Sequence, residues 1–222
     1  MARGTVLSLH RYPVKSMAGE PVDEAAVGVH GMEGDRRHAL RLEGGRKLTA
    51  KVAPKLLAWH ASLNGGLTVT GPDGRAYGLD GELERAVTEH LGREVALVHD
   101  PRGLGDVTGL HVTVEGSRRR LEEELGMPLD VRRFRPNVHV ELDAEPYEEA
   151  GWEGRRLRVG AAELQIVSAA DRCAITVYDP DTLEKAPDVL RRINRHHDTF
   201  FGVWADAVAD ARIRVGDAVE LL

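Results

Sequence analysis

The sequence predicts a mainly β protein with a few helices, an α+β chain whose strands form a barrel or a sandwich. Three observations predict it. Apolar residues recur in short, partly alternating runs. Strong turn signals separate the runs at Gly44-Gly45, Asn64-Gly65-Gly66 and Pro72-Asp73-Gly74, and only three stretches read as helix. At 222 residues the chain can bury one large core or two modest ones.

In order, Val6-Leu7-Ser8-Leu9-His10 opens as a strand. In Tyr12-Pro13-Val14-Lys15-Ser16-Met17, Pro13 removes a backbone donor and holds Tyr12 extended, so the segment leaves the sheet or follows its edge. That places Lys15 and Ser16 in irregular backbone before a turn at Gly19. Residues 22–29 alternate weakly and stop at the glycines of His30-Gly31-Met32-Glu33-Gly34-Asp35. A strand resumes over 36–42, Gly44-Gly45 turns a hairpin, and Lys47-Leu48-Thr49 returns. Further strands are expected at 56–63, 67–70 and 76–79. Residues 82–91 form a helix with Leu83, Ala86, Val87 and Leu91 inward and Gly92 at its end. A strand follows at 94–99.

The Gly-, Pro- and charge-rich stretch 100–106 marks a seam, dividing the chain into domains 1–100 and 101–222. After a strand at 110–114, Ser117 is placed to cap a helix ending at Gly126. There Arg118-Arg119-Arg120 and Glu122-Glu123-Glu124 stand at i,i+4 spacing, which describes a self-paired solvated face and not a nucleic-acid patch. Residues 157–159 and 163–167 form a hairpin around Gly160. Pro187 starts a helix through Arg195 with Val189, Leu190 and Ile193 inward. Strands at 201–204 and a hairpin over 213–221, turning at Gly216-Asp217, complete the pattern.

Composition excludes several classes. Hydrophobic residues at 42% and charged ones at 30% describe a soluble globular chain, and a net charge of −6 argues against non-specific nucleic-acid binding. No run approaches the ~20 apolar residues of a membrane-spanning helix and the start lacks an apolar signal core, so residence in the cytoplasm is expected. Neither a P-loop nor a GxGxxG fingerprint is present. His196-His197-Asp198 resembles a metal triad in composition only, because adjacent side chains point in different directions.

Two stretches carry chemistry. Cys173 is the only cysteine. A sole thiol cannot form an intramolecular disulfide or a four-thiolate cluster, which leaves inert filler, a nucleophile, or one ligand to a metal brought by a cofactor. Arg172 beside it favours thiolate, and Asp179-Pro180-Asp181-Thr182 is turn chemistry, so Cys173 is expected near a strand end. In Arg132-Arg133-Phe134-Arg135-Pro136-Asn137, Pro136 excludes a helix through Arg135. An extended segment would aim Arg133 and Arg135 to one side, where they either hold an anion such as phosphate or pair with carboxylates such as Glu141 or Asp143.

Together these stretches carry a family resemblance. Tyr12-Pro13-Val14-Lys15-Ser16-Met17 with Gly19-Glu20, Gly31 through Gly34-Asp35-Arg36, Arg133-Phe134-Arg135-Pro136-Asn137, Arg172-Cys173 with Asp179-Pro180-Asp181-Thr182, Phe201-Gly202-Val203 and Val215-Gly216-Asp217 resemble a MOSC protein. That family is named for the molybdenum cofactor sulfurase C-terminal domain. The resemblance covers nearly the whole chain and is similar in style to the mitochondrial amidoxime-reducing component and bacterial reductases of N-hydroxylated bases. It implies a MOSC-type β-barrel preceded by a smaller N-terminal β-barrel domain, and a molybdenum–molybdopterin cofactor. By motif, Cys173 is the implied metal ligand, with Asp171 near the open face of the metal. Lys15, Ser16, Arg36, Arg133, Arg135, Asn137 and Arg172 are the implied cofactor contacts, which would seat the cofactor between the two halves. The implied activity is reduction of small N-hydroxylated or N-oxide substrates. A ferredoxin cluster needs more thiols than this chain has, so electrons would come from a separate donor protein of ferredoxin or flavoprotein type. A cofactor or sulfur carrier using a Cys173 persulfide is the alternative, and a cofactor-free barrel that binds a protein partner is the plain one.

Overall fold

Short apolar runs become short strands throughout the computed structural model, which describes residues 2–105 and 109–222. Asp106 of the expected seam lies outside the described residues. In chain order the elements are β1 (Arg3–Arg11), β2 (Glu20–Val22), β3 (Glu24–Gly28), β4 (Gly31–Met32), β5 (His38–Leu42), β6 (Lys47–Leu48), β7 (His60–Ser62), β8 (Thr68–Thr70), β9 (Ala76–Tyr77), α1 (Gly81–Leu91) and β10 (Val95–His99). There follow β11 (Leu110–Val114), α2 (Glu115–Leu125), β12 (Val138–Leu142), β13 (Arg156–Val159), β14 (Ala162–Asp171), α3 (Pro187–His196), β15 (Phe200–Ala207), β16 (Ala211–Arg214) and β17 (Ala218–Leu221). Three-ten turns occupy Pro54–Ala58, Val131–Phe134, Glu148–Gly151 and Ala174–Val177. No helix among the described residues is long and apolar enough to cross a membrane.

Seven strands close into a barrel in the order β12-β11-β15-β14-β13-β17-β1, with β1 returning to pair with β12. The chain divides into two compact units, and the division is not one cut in the sequence. Residues 2–10 and 21–33 belong with 109–222, while 11–20 and 34–105 form the other unit. The reason lies in β1, whose register runs Val6 against Val140 on one side and Gly4 against Val219 on the other. Val6 and Leu9 both face the core although they are three residues apart, because the register shifts between Val6 and Ser8 and leaves Leu7 exposed as the extra residue of a bulge. The parallel pair of β11 with β12 on the barrel wall needs a crossover, and α2 supplies it.

Leu110, Val112 and Val114 of β11 point into the barrel core. His111 and Thr113 alternate to the outer face, where they are nonetheless fully buried. Part of their cover is a small second core of Leu121, Phe134, Val189, Ile193 and Phe201, in which the Phe134 and Phe201 rings stack at 4.0 Å. Gly202 shows how close this packing is. It has φ +79°, and a Cβ there would stand 2.4 Å from the Val112 carbonyl oxygen and 2.9 Å from His111 Nε2.

The other unit holds two three-stranded sheets, β10-β5-β6 and β7-β8-β9, around Leu40, Leu48, Leu56, Trp59, Val69, Leu83 and Val87. The segment after Pro13 links them through single bridges, Val14 to His38 and Ala18 to His60. Helix α1 ends as expected at Gly92, which is left-handed, and it starts at Asp80, whose carboxylate accepts from the Glu82 and Leu83 amides.

Four expectations are corrected. Residues 56–63 are a three-ten turn and a short strand, because Pro54 starts a helical turn that carries Leu56 and Leu57 inward. Residues 36–37 are not yet strand, since Arg36 is left-handed at φ 50°. Ser117 does not cap α2, which begins at Glu115. It lies buried inside the helix, donating to Glu149 Oε2 at 2.8 Å and accepting from the Tyr147 amide. The residues 211–221 turn at Gly216 but do not pair with each other as a hairpin. β16 joins β3 and β17 joins β13 and β1, because the turn backbone bonds to Asp23 and Val6 instead.

Candidate functional site

Strand β14 carries the chain out to Asp171, an exposed residue in register with Phe200. Cys173 then caps the three-ten turn Ala174–Val177, its carbonyl accepting from the Thr176 amide at 3.0 Å and the Thr176 hydroxyl at 2.9 Å. The thiol is free of any disulfide and the residue is half-buried. It therefore stands at a strand end on a tight turn, reachable but not loose.

Arg172 folds back from this turn against the outer face of β11. Its Nη1 lies 2.7 Å from His111 Nε2, and its guanidinium carbon sits 5.9 Å from the centre of the Trp204 ring. His111 packs on the same ring, with centroids 5.0 Å apart. The same Nε2 lies 3.1 Å from the Phe201 carbonyl oxygen, so the ring is pinned between Arg172 and β15. His111 and Trp204 thus hold a cation directly beside the cysteine. Neither is legible as a site residue in the sequence, because a histidine in an apolar strand run reads as core.

The arginine stretch differs from expectation. Asp130 accepts from the Arg132 amide and starts a three-ten turn over 131–134, and Arg135 satisfies the constraint from Pro136 in the left-handed region, φ 56°, instead of the extended one. Arg133 and Arg135 are therefore not alternate residues of one strand. Arg133 is buried, with Nη1 donating to the Val177 carbonyl at 3.0 Å and Nη2 to Asp179 Oδ2 at 3.1 Å. Burial lowers its pKa while the Asp179 and Asp130 carboxylates raise it. Its carboxylate partner is Asp179 and neither Glu141 nor Asp143; Glu141 pairs with Arg119. Arg132 bridges Asp130 and both oxygens of Asp181, at 2.9 and 2.6 Å for the latter.

Asn137 has both ends of its amide engaged. Oδ1 accepts from the His111 amide and Nδ2 donates to the His10 carbonyl, each at 3.2 Å, so it stitches β1 and β11 to the start of β12. It serves the closure of the barrel wall. Arg135 is half-buried at the bend just before it.

In the other unit, Lys15, Ser16 and Arg36 are brought together on neighbouring segments. The Lys15 amide donates to the His38 carbonyl at 2.7 Å, and the Arg36 amide to the Tyr12 carbonyl at 2.8 Å. The Arg36 side chain pairs with Asp35 and stacks over the Tyr12 ring at 4.9 Å, while Asp35 also accepts from the Tyr12 amide. Lys15 and Ser16 are buried, and Ser16 is left-handed at φ 71°.

The sequence profile of the MOSC domain matches residues 100–220, more than half of the chain, and that of the MOSC N-terminal beta barrel domain matches residues 3–101. This chain belongs to the MOSC family. The MOSC chain is 26% identical to the human mitochondrial amidoxime-reducing component 1, covering 99% of itself and 83% of that protein. To the Xenopus laevis mitochondrial amidoxime-reducing component 1 it is 25% identical, covering 97% of itself and 81% of the relative. The second alignment runs to 282 positions against 222 residues here, so that relative carries insertions that this MOSC chain lacks. Among solved structures, the YuaD protein from Bacillus subtilis shares the fold, with a TM-score of 0.55 at 17% identity over 100% of this chain and 96% of that one.

Among the described residues no group of three or more His, Cys, Asp or Glu is placed to hold a metal ion. A metal bound through Cys173 would have to bring its other ligands with it. The residues present fit such a group: one reachable thiol, a fixed cation in Arg172, and a turn tethered from behind.

Proposed function

We propose that this chain is a molybdenum-cofactor-dependent reductase that removes oxygen from small N-hydroxylated or N-oxide compounds, using electrons from a separate donor protein. The observation that carries the reading is Cys173, the sole cysteine, held on a tethered strand-end turn in a MOSC chain that aligns over nearly its whole length with amidoxime-reducing components. When bound, a molybdenum–molybdopterin group would supply a redox-active metal able to accept an oxygen atom. Cys173 would hold that metal through Sγ, since a soft thiolate suits it. Arg172 and Arg135 are the cations of this unit proposed to contact the cofactor, and Lys15, Ser16 and Arg36 are the proposed contacts from the other. Arg133 and Asn137 stand behind these in the proposal, because Arg133 Nη1 and Nη2 bond to the turn and to Asp179 and the Asn137 amide bonds to the barrel wall. Asp171, exposed two residues before the cysteine, is the carboxylate proposed to face the substrate side.

The test is expression in a host that makes the cofactor, followed by metal analysis and assay with a chemically reduced viologen as donor. Equimolar molybdenum and conversion of an amidoxime to its amidine are expected, with both lost in Cys173→Ser. Molybdenum-loaded protein that leaves amidoximes and N-oxides untouched would refute the reductase. An extra sulfur atom on Cys173 without molybdenum, seen by intact mass spectrometry, would replace it with a sulfur carrier.

A further inference from the structure

Cys173 is separated by about forty residues from the turn Val131–Phe134, yet that turn grips the chain on the far side of the cysteine at two points. Arg133 reaches the carbonyls of Thr176 at 3.5 Å and Val177 at 3.0 Å, the same three-ten turn that Cys173 caps, and then Asp179. Arg132 takes Asp181 through two nitrogens. Asp179 is itself a hub, its Oδ1 accepting from the Asp181 and Thr182 amides at 3.1 and 3.0 Å. Those amide bonds and the Arg133 guanidinium hold its carboxyl below the usual range although burial opposes them, so it stays ionised. The arginine turn is in turn fixed by Phe134, stacked on Phe201 in the second core.

We propose that Arg133 and Arg132, with Asp179 and Asp181, form a clamp of positioning residues that presents Cys173 in one orientation. Both terminal nitrogens of this buried guanidinium are committed to the chain after the cysteine, Nη1 to two carbonyls and Nη2 to a carboxylate. Its bonds converge on one short turn, and that turn begins at the working thiol. The clamp explains why Cys173 can be half-exposed yet fixed: the chain after it is tied down by charge-assisted bonds and the chain before it by the β14–β15 ladder. This inference takes from the proposed function only that Cys173 is the working group, and it concerns the protein without cofactor as well as with it.

The experiment is the alkylation rate of Cys173 by iodoacetamide at fixed pH in the full-length, metal-free protein, read by mass spectrometry. Arg133→Met and Asp181→Asn should each raise the rate by about threefold to tenfold, the scale of losing one charge-assisted tether to local opening. Asp181 is largely exposed, so Asp181→Asn keeps the test decisive if Arg133→Met does not fold. Arg119→Ala, which breaks the exposed pair with Glu141, serves as the control for general loosening and should leave the rate unchanged. Rates within twofold of wild type in every variant that folds would overturn the clamp, as would a rise in Arg119→Ala equal to that in Asp181→Asn. Because alkylation does not depend on molybdenum, a failed reductase assay leaves this result standing, and a failed clamp leaves the reductase reading to its own assay.

Discussion

At the scale of single residues, the most consequential group away from Cys173 is Glu149. It is buried, and its Oε2 accepts from the Ser117 hydroxyl at 2.8 Å. Burial pushes its pKa from 4.5 up to about 7, against the opposing pull of Ser117 and of backbone amides that include Gly202. The folded state therefore binds this proton more tightly than the unfolded chain does. Its stabilising effect is fully present below pH 4.5 and is lost as pH rises to about 7, a swing of about 3 kcal/mol. Glu149→Gln should flatten that slope in urea melts across the same window, and an unchanged slope would show that another group sets it. Of the site residues, Cys173 was legible because it is alone and Arg172 because it adjoins it. The tethers of Arg133 to Asp179 and Arg132 to Asp181 were not, since a pairing across nearly fifty positions leaves no local trace. The arginine stretch was misread for a physical reason. Pro136 does forbid a right-handed helix at Arg135, but a left-handed residue meets the same constraint, and Asp130 tips the balance by capping a turn.

At the scale of elements, apolar periodicity located α1 and α3 and most barrel strands closely. It could not assign partners. β16 and β17 have the alternation and the Gly216-Asp217 turn of a hairpin, yet they part into different sheets as the turn backbone bonds to Asp23 and Val6. The i,i+4 charges of α2 were readable and are paired, Arg118 with Glu122 and Arg120 with Glu124. Strand β15 depends on one residue that only the structure explains. Gly202→Ala would force a side chain into left-handed backbone 2.4 Å from the Val112 oxygen. A loss of about 2–3 kcal/mol in denaturant unfolding is expected, together with displacement of His111 and hence of Arg172. Gly44→Ala, where a Cβ meets nothing within 4 Å, should cost less although its φ is also positive.

At the scale of the molecule, a mainly β, MOSC-type chain was legible from turn spacing and motif order, but the membership of its first strand was not. Nothing local distinguishes a strand that pairs with its neighbours from one that pairs with residues 138–142 and 218–220. A fragment of residues 100–222 contains the matched MOSC domain but lacks β1, leaving β12 and β17 as unpaired edges. It should aggregate or melt without cooperativity in calorimetry, and adding residues 1–10 in trans should restore a transition. A cooperative transition for the fragment alone would show β1 to be dispensable. The same strand sets a timetable for biosynthesis. β1 leaves the ribosome well before β17, so the ring cannot shut until that later strand has emerged. During that wait Val6 and Leu9 have no core to enter, and such long-range pairing predicts slow folding with early reliance on chaperones.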